Sequence, residues 1–339
     1  MTVVLDTNRA DGRAADELVI GLINNMPDAA LEATEQQFLS LLDASSGRMT
    51  IRLRLLALPE VPRGDAGRQR LELLYSDIGE LWTSRLDGLI VTGAEPCAAD
   101  LRDEPYWTSL MHVLEWTEDN AVSAVWSCLA AHAVVLRLSG IRRRRSAEKC
   151  SGVFSCAKVG THPLTEGIPA QFLVPHSRFN GLPEDEIVAA GFRVLARSPE
   201  VGVDMFVKDG NSPLLFAQGH PEYDTYTLLR EYRRDIRRFL RGEVETYPSM
   251  PRGYFDEDSA ANFREFRELA LADRSEDTLK RLWASCPEPV LSNNWRSSAT
   301  RLYKNWLSLL AKRKMALTAT ELALELGDGH RDSRQAFQQ

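Results

Sequence analysis

Ala217-Gln218-Gly219-His220-Pro221-Glu222-Tyr223-Asp224 decides how this chain is read. The stretch follows a short apolar run, Pro213-Leu214-Leu215-Phe216, and leads into a helical pattern through Arg230, Glu231 and Arg234. His220 and Glu222 therefore sit on a turn between a strand and a helix. An imidazole so placed can take a proton from a nucleophile while the carboxylate holds its other nitrogen in one tautomer. What the pair lacks is a nucleophile, and Val125-Trp126-Ser127-Cys128-Leu129-Ala130 supplies one. Here too an apolar strand-like run feeds a helix, with a thiol at the junction. A cysteine that ends an apolar strand is by itself a small core residue. Its position changes the reading, because a helix N-terminus favours the thiolate. His220 alone could be structural, whereas His-Pro-Glu after an apolar strand is far more specific. Together these residues read as a Cys128–His220–Glu222 triad.

Working outward, the first 140 residues alternate apolar strands with helices. Leu18 to Ile23 is a continuous apolar run, as expected of a buried parallel strand, and ends in the turn Asn24-Asn25-Met26-Pro27-Asp28. Leu31 to Leu42 reads as a helix, Ile51 to Leu58 as a strand, and Arg63 to Arg70 as a polar loop or helix start. Gly88 to Gly93 is a strand closed by a glycine turn; Tyr106 to Trp116 is a helix, Val122 to Trp126 a strand, and Leu129 to Leu138 the helix after it. This alternation predicts an α/β fold with a mainly parallel sheet flanked by helices. In such sheets sites form at the carboxyl ends of strands, where both Thr92-Gly93 and Cys128 fall. From Ser151 to Gly219 the pattern turns β-like; helix returns at Tyr223 to Leu240 and again, charged and amphipathic, from about Ser259 to Trp283. A last ordered piece begins at Asn294-Trp295-Arg296-Ser297, and Gly327 to Gln339 is polar and expected to fray.

Composition bounds the function. The chain has 339 residues, 44% hydrophobic and 26% charged, with a net charge of −7. That is an ordinary globular balance, and it argues against a nucleic-acid partner. No apolar run is long enough to span a membrane, and Met1 to Gly12 is too polar for a signal peptide. The five cysteines, Cys97, Cys128, Cys150, Cys156 and Cys286, form no CxxC pair, so neither a disulfide framework nor a zinc site is indicated. His112, His132, His162 and His176 lack metal-ligand spacing, and no metal is expected. The reading is a reduced, cytoplasmic protein.

With these residues in view, the chain resembles the homoserine O-succinyltransferase (homoserine O-acyltransferase) family, built on the class I glutamine amidotransferase fold. The resemblance rests on Asn25-Met26-Pro27, Gly88 to Ala94, Tyr106-Trp107, Glu148 to Val153, Pro175-His176-Ser177-Arg178, Gly219 to Asp224, Trp295-Arg296-Ser297 and Asn305-Trp306. It runs in the family's order over roughly residues 18 to 310. It implies a flavodoxin-like sheet with a helical C-terminal extension. A single acyltransferase domain would cover 1–314, with inserted helices at about 255–290 and a tail over 315–339.

The resemblance also implies roles. Cys128 would attack an acyl-CoA thioester, with His220 as base and Glu222 orienting it. Arg234 would bind the α-carboxylate of homoserine and Glu231 its ammonium, while Lys149, Ser177 and Arg178 would line the pocket. Acyl-CoA would be a co-substrate, with no bound cofactor, and a homodimer is expected. The sequence also departs from the family pattern. The lysine usual shortly after Met-Pro is absent from Met26 to Glu32, so the oxyanion would depend on backbone N–H groups such as those of Leu129 and Ala30. The position that separates acetyl from succinyl users falls on Cys97, a small neutral side chain that leaves room for succinyl. Arg142-Arg143-Arg144-Arg145 reads as a solvated basic loop or as a contact for CoA phosphates. Two other readings stand beside the acyltransferase. A glutamine amidotransferase-type Cys hydrolase would be expected to ring its nucleophile with glycines, where this chain has Ser127, Leu129 and Ala130. A non-catalytic homologue would have no need to keep Cys128, His220, Glu222 and Arg234 together.

Overall fold

The computed structural model describes residues 2–6, 17–285 and 291–335. Most of the polar N-terminal stretch Met1 to Gly12, Cys286, and the last four residues of the tail lie outside the described residues. β1 (Val3–Leu5) and β2 (Glu17–Ile23) precede α1 (Asp28–Ser46). β3 (Thr50–Leu56) is followed by α2 (Asp65–Leu74), β4 (Gly88–Val91) by α3 (Trp107–Asn120), and β5 (Ala124–Ser127) by α4 (Leu129–Ser139). Then come β6 (Arg144–Lys158), β7 (Gln171–Gly181), α5 (Glu184–Ala189), β8 (Arg193–Ser198), β9 (Gly202–Lys208) and β10 (Leu214–Ala217). Helices α6 (Thr227–Leu240), α7 (Glu257–Ala272), α8 (Glu276–Ser285) and α9 (Arg296–Gln335) follow.

All the described strands join one ten-stranded sheet in the order β1-β3-β2-β4-β5-β10-β9-β8-β6-β7. Neighbours from β1 through β10 are parallel. Those from β10 to β7 are antiparallel, which accounts for the β-like stretch between Ser151 and Gly219. Side chains of a strand alternate between the faces of its sheet, so Val125 and Trp126 enter different cores. Trp126 packs with Leu110, Val113 and Leu114 of α3 and Val134 of α4. Val125 packs with Phe38 and Leu41 of α1 and Leu302, Trp306 and Leu310 of α9. The parallel strands are covered on both faces, and their unbroken apolar runs follow from that.

The helices read as inserted at about 255–290 build a third core with α6, through Tyr232, Ile236, Phe239, Phe263, Phe266 and Leu279. Two of the C-terminal motifs turn out to brace the scaffold. Asn305 Nδ2 donates to the carbonyls of Leu164 (3.0 Å) and Glu166 (2.8 Å), and Trp306 Nε1 to Ser123 Oγ at 3.2 Å. α9 runs on to Gln335, beyond Gly327 where polarity predicts fraying. Among the described residues no helix is long and apolar enough to cross a membrane.

Candidate active site

β5 and β10 are parallel neighbours with Ser127 opposite Ala217, so both strands end at the same edge of the sheet. The residues that follow them enter one crevice. Cys128, next after β5, has φ 50° and ψ −112°, and it is the one non-glycine among the described residues with a positive φ. A backbone held there costs about 1–3 kcal/mol and persists only where its surroundings enforce it. The sharp turn lifts the half-buried thiol to the start of α4. Leu129 opens that helix, so its N–H has no partner within the helix. Gly93, just past β4, lies against this turn: a Cβ there would stand 3.0 Å from Leu129 Cβ and 3.1 Å from Leu129 N.

His220 reaches the thiol from the turn after β10. Its N–H donates to the Pro175 carbonyl at 2.8 Å. Gly219 before it is packed so closely that a Cβ would come within 2.6 Å of both Asp204 Oδ1 and Val174 Cγ1. The ring's Nδ1 lies 2.8 Å from Glu222 Oε1, and the Cys128 sulfur is within its electrostatic reach. Burial works to lower the imidazole pKa, but the Glu222 carboxylate and the Cys128 sulfur outweigh it and hold it well above the ordinary value. With Nδ1 turned to Glu222, Nε2 is left for the sulfur and for the proton it gives up. The Tyr223 ring stacks on His220, with centroids 4.3 Å apart and planes 16° apart.

Beside this triad lies a charged cluster. Glu231 on α6 accepts hydrogen bonds from Ser177 Oγ on β7 and from the Tyr223 hydroxyl, the latter at 2.7 Å. Lys149 Nζ is 3.6 Å from Glu231 and 2.8 Å from Asp235. Arg234 pairs with Asp235 at 2.9 Å and keeps about half its side chain exposed (48%). Lys149 is brought here by a register break in β6 between Arg145 and Cys150. Arg178, the neighbour of Ser177 on β7, is turned into the protein. Its guanidinium donates to the carbonyls of Asn180 (2.6 Å) and Val201 (2.5 Å) and to His176 Nδ1 (3.3 Å). Cys97 is exposed on the loop after β4, which is pinned by the buried Glu104 carboxylate accepting from the N–H groups of Cys97 and Ala98, both at 2.9 Å. Ala30 donates its N–H to the Pro27 carbonyl at 2.8 Å, within the first turn of α1.

The arginine run divides. Arg142 lies 3.7 Å from Asp100, Arg144 bonds Glu186 and Arg145 lies over the Phe179 ring, all at the surface. Arg143 is half-buried and within electrostatic reach of Tyr106, Glu104 and Cys128; burial pushes its pKa down.

Two buried groups lie beneath the triad. His132, one turn along α4 from Cys128, shares Gln218 Oε1 at 2.9 Å. Gln218 Nε2 donates to the Val203 carbonyl and its Oε1 accepts from Leu182 N–H, so the hydrogen in the contact comes from His132 Nε2. Cys156, His176 and Asp204 bring donor atoms within 4.8 Å of one another, a grouping that invites a metal reading. The chemistry of the donors opposes it. Arg178 Nε donates to His176 Nδ1, which puts the ring's hydrogen on Nε2, facing Asp204 Oδ1 at 3.3 Å. Burial also pushes the Cys156 thiol pKa up, away from the thiolate a metal needs. The His176–Asp204 contact falls short of good hydrogen-bond geometry, and neither atom has a closer partner. We read it as a brace under Gly219 and His220.

Sequence reasoning missed Tyr223, Asp235, Gln218 and Glu104. Tyr223 and Gln218 stand inside the stretch that singled out His220, and Asp235 stands next to Arg234. Adjacency to a recognised site residue was the available signal.

The family model described as homoserine O-succinyltransferase matches residues 1–316. A homoserine O-succinyltransferase of Rhodopseudomonas palustris is 48% identical over 298 residues, covering 88% of this chain and 90% of that one. One from Methylorubrum extorquens is 45% identical over 305 residues, with 89% of each chain covered. Among solved structures, a glutamine amidotransferase from Thermotoga maritima is similar over 88% of this chain and 99% of its own, at 10% identity and a TM-score of 0.47.

Proposed function

The chain belongs to the homoserine O-succinyltransferase family, and from that premise we propose that it is an acyl-CoA-dependent O-acyltransferase. It would move a succinyl group, with acetyl as the alternative, to the hydroxyl of L-homoserine or a similar hydroxy amino acid. The observation that carries the reading is the strained Cys128 turn beside a His220 whose Nδ1 is held 2.8 Å from Glu222.

The reaction runs as two displacements. Cys128 sulfur attacks the thioester carbonyl, and the oxyanion faces the Leu129 N–H. Collapse breaks the bond to CoA sulfur, which leaves with a proton from His220. One thioester replaces another, at little energetic cost. The acceptor hydroxyl then gives its proton to His220 and attacks the acyl-Cys128 carbonyl; the C–S bond breaks and the ester is released. Half-exposed Arg234 suits the acceptor carboxylate and Glu231 its ammonium, with Lys149 and Ser177 holding Glu231 in place. Arg178 acts from behind by fixing β7. Cys97 leaves space and no repelling charge for the longer acyl chain. We read the enzyme as a cytoplasmic homodimer, which light scattering tests.

Intact-protein mass after mixing with succinyl-CoA or acetyl-CoA, before and after homoserine or serine, tests the chemistry. A gain on Cys128 that one amino acid discharges supports the reading and names both substrates. No adduct with either donor, together with ammonia release from glutamine, would replace it with the amidotransferase-type hydrolase. Inertness in both assays would favour a non-catalytic homologue.

A further inference from the structure

We propose that Tyr223 is a positioning residue that couples the acceptor's ammonium site to the state of the base. The proposal rests on the reading of Glu231 as that ammonium site. Tyr223 is buried and held at three points. Its N–H donates to the His220 carbonyl at 3.1 Å, its carbonyl accepts from Trp295 Nε1 at 2.9 Å, and its hydroxyl donates to Glu231 Oε1 at 2.7 Å. The ring cannot swing away from His220, and it lies parallel to the imidazole at 4.3 Å. The other oxygen of Glu231 takes Ser177 Oγ, so the carboxylate is aimed as well.

This arrangement has a chemical consequence. The face of an aromatic ring attracts a cation, so Tyr223 favours protonated His220. A phenol that donates to a carboxylate gains electron density, and its face attracts the imidazolium more strongly. An ammonium arriving at Glu231 draws off that density. Neutral imidazole, the form that accepts the acceptor's hydroxyl proton, is then favoured when the acceptor is in place. Without an acceptor His220 stays protonated, ready for the departing CoA sulfur and poor at activating water. The charged and titratable groups that bear on the pair are Glu222 from the same turn, Cys128 from the β5–α4 turn, His176 from β7, Lys149 from β6, Glu231 from α6 and, through Glu222, Tyr303 from α9.

Two variants of the full chain separate the two contacts: Tyr223→Phe keeps the stack and loses the hydrogen bond, and Tyr223→Leu loses both. With succinyl-CoA, Y223F should lose the acceptor-dependence of the base: acyl-Cys128 should be lost to water about tenfold or more faster before homoserine is added, and the homoserine KM should rise. Y223L should in addition slow acylation, because it removes the aromatic face that favours the imidazolium. Wild-type loss of acyl-Cys128 to water in Y223F, or the same behaviour in the two variants, overturns the coupling. The imidazole NMR signal of His220, titrated with homoserine alone, reads the same link without turnover. A homoserine-dependent fall in its pKa in wild type that is absent in Y223F supports the proposal, and identical responses refute it. A protein that shows this coupling yet never forms an acyl-Cys128 adduct would sink the acyl-transfer reading and leave the Tyr223 link standing.

Discussion

The backbone N–H of Cys128 donates to the carbonyl of Ala217 at 2.7 Å, one step beyond the last register pair of β5 and β10. The Cys128 turn and the His220 turn thus extend a single backbone ladder. Their spacing is set by sheet pairing, and the side chains need only choose rotamers.

That turn is strained at Cys128, and the strain is measurable. Cys128→Ala should abolish the acyl-enzyme and keep the strain, since alanine also carries a Cβ at φ 50°. Cys128→Gly should be equally inactive yet more stable than the alanine variant by about 1 kcal/mol, after allowing for glycine's extra chain entropy. Urea unfolding of the two variants makes the comparison. Equal stabilities would show that the turn stores nothing.

Gly219 offers a second test, because a methyl there meets Asp204 Oδ1 and Val174 Cγ1 at 2.6 Å. Gly219→Ala should destabilise the protein by about 1–3 kcal/mol through overpacking. It should also slow acylation of Cys128 by up to about 10²-fold, because His220 is displaced along with its neighbour. Unfolding and rapid-quench mass measurements separate the two effects. Full activity in a destabilised variant would rule out Gly219 as the residue that sets the ring's position.

Arg234 stands beside Asp235 with half its side chain open to solvent. Arg234→Ala should raise the amino-acid KM about tenfold or more and barely move the acyl-CoA KM, as loss of a charge-assisted carboxylate contact predicts. Steady-state kinetics with each substrate varied in turn decide this. Equal changes in both constants would remove the carboxylate role.

His132 predicts an acid-side loss of stability. Burial pushes its pKa down to about 3, whereas in the unfolded chain it titrates at about 6.5. Between those values the unfolded state binds one more proton, so this contribution is fully present above about pH 6.5 and is lost as pH falls toward about 3. Falling from about pH 6.5 to 4.5 should cost about 2–3 kcal/mol from this group alone. Denaturation at several pH values should give His132→Gln an acid-side slope smaller by one proton, and an unchanged slope would refute the assignment.

Cys128, His220 and Glu222 stood out in the sequence because each stands at a strand-to-helix junction, and junctions are local. Apolar runs, a turn and a helical pattern are written in neighbouring residues, and so is the adjacency of His220 and Glu222. The parallel half of the sheet was legible for the same reason, since strands buried on both faces read as unbroken apolar runs. The neighbours of the triad were not legible. Ser177 and Arg178 both looked like pocket residues, but successive residues of β7 face opposite ways. Ser177 meets Glu231, while Arg178 braces His176 and the Val201 carbonyl. Lys149 reaches Asp235 only through the break in β6, and the Tyr223 stack depends on the path of one turn. The sequence alone thus determined the family to which the chain belongs and the kind of junction that presents Cys128, His220 and Glu222. Only the tertiary structure decided which side chains meet, because strand order and register bring together residues far apart in the chain, and no local periodicity encodes that pairing.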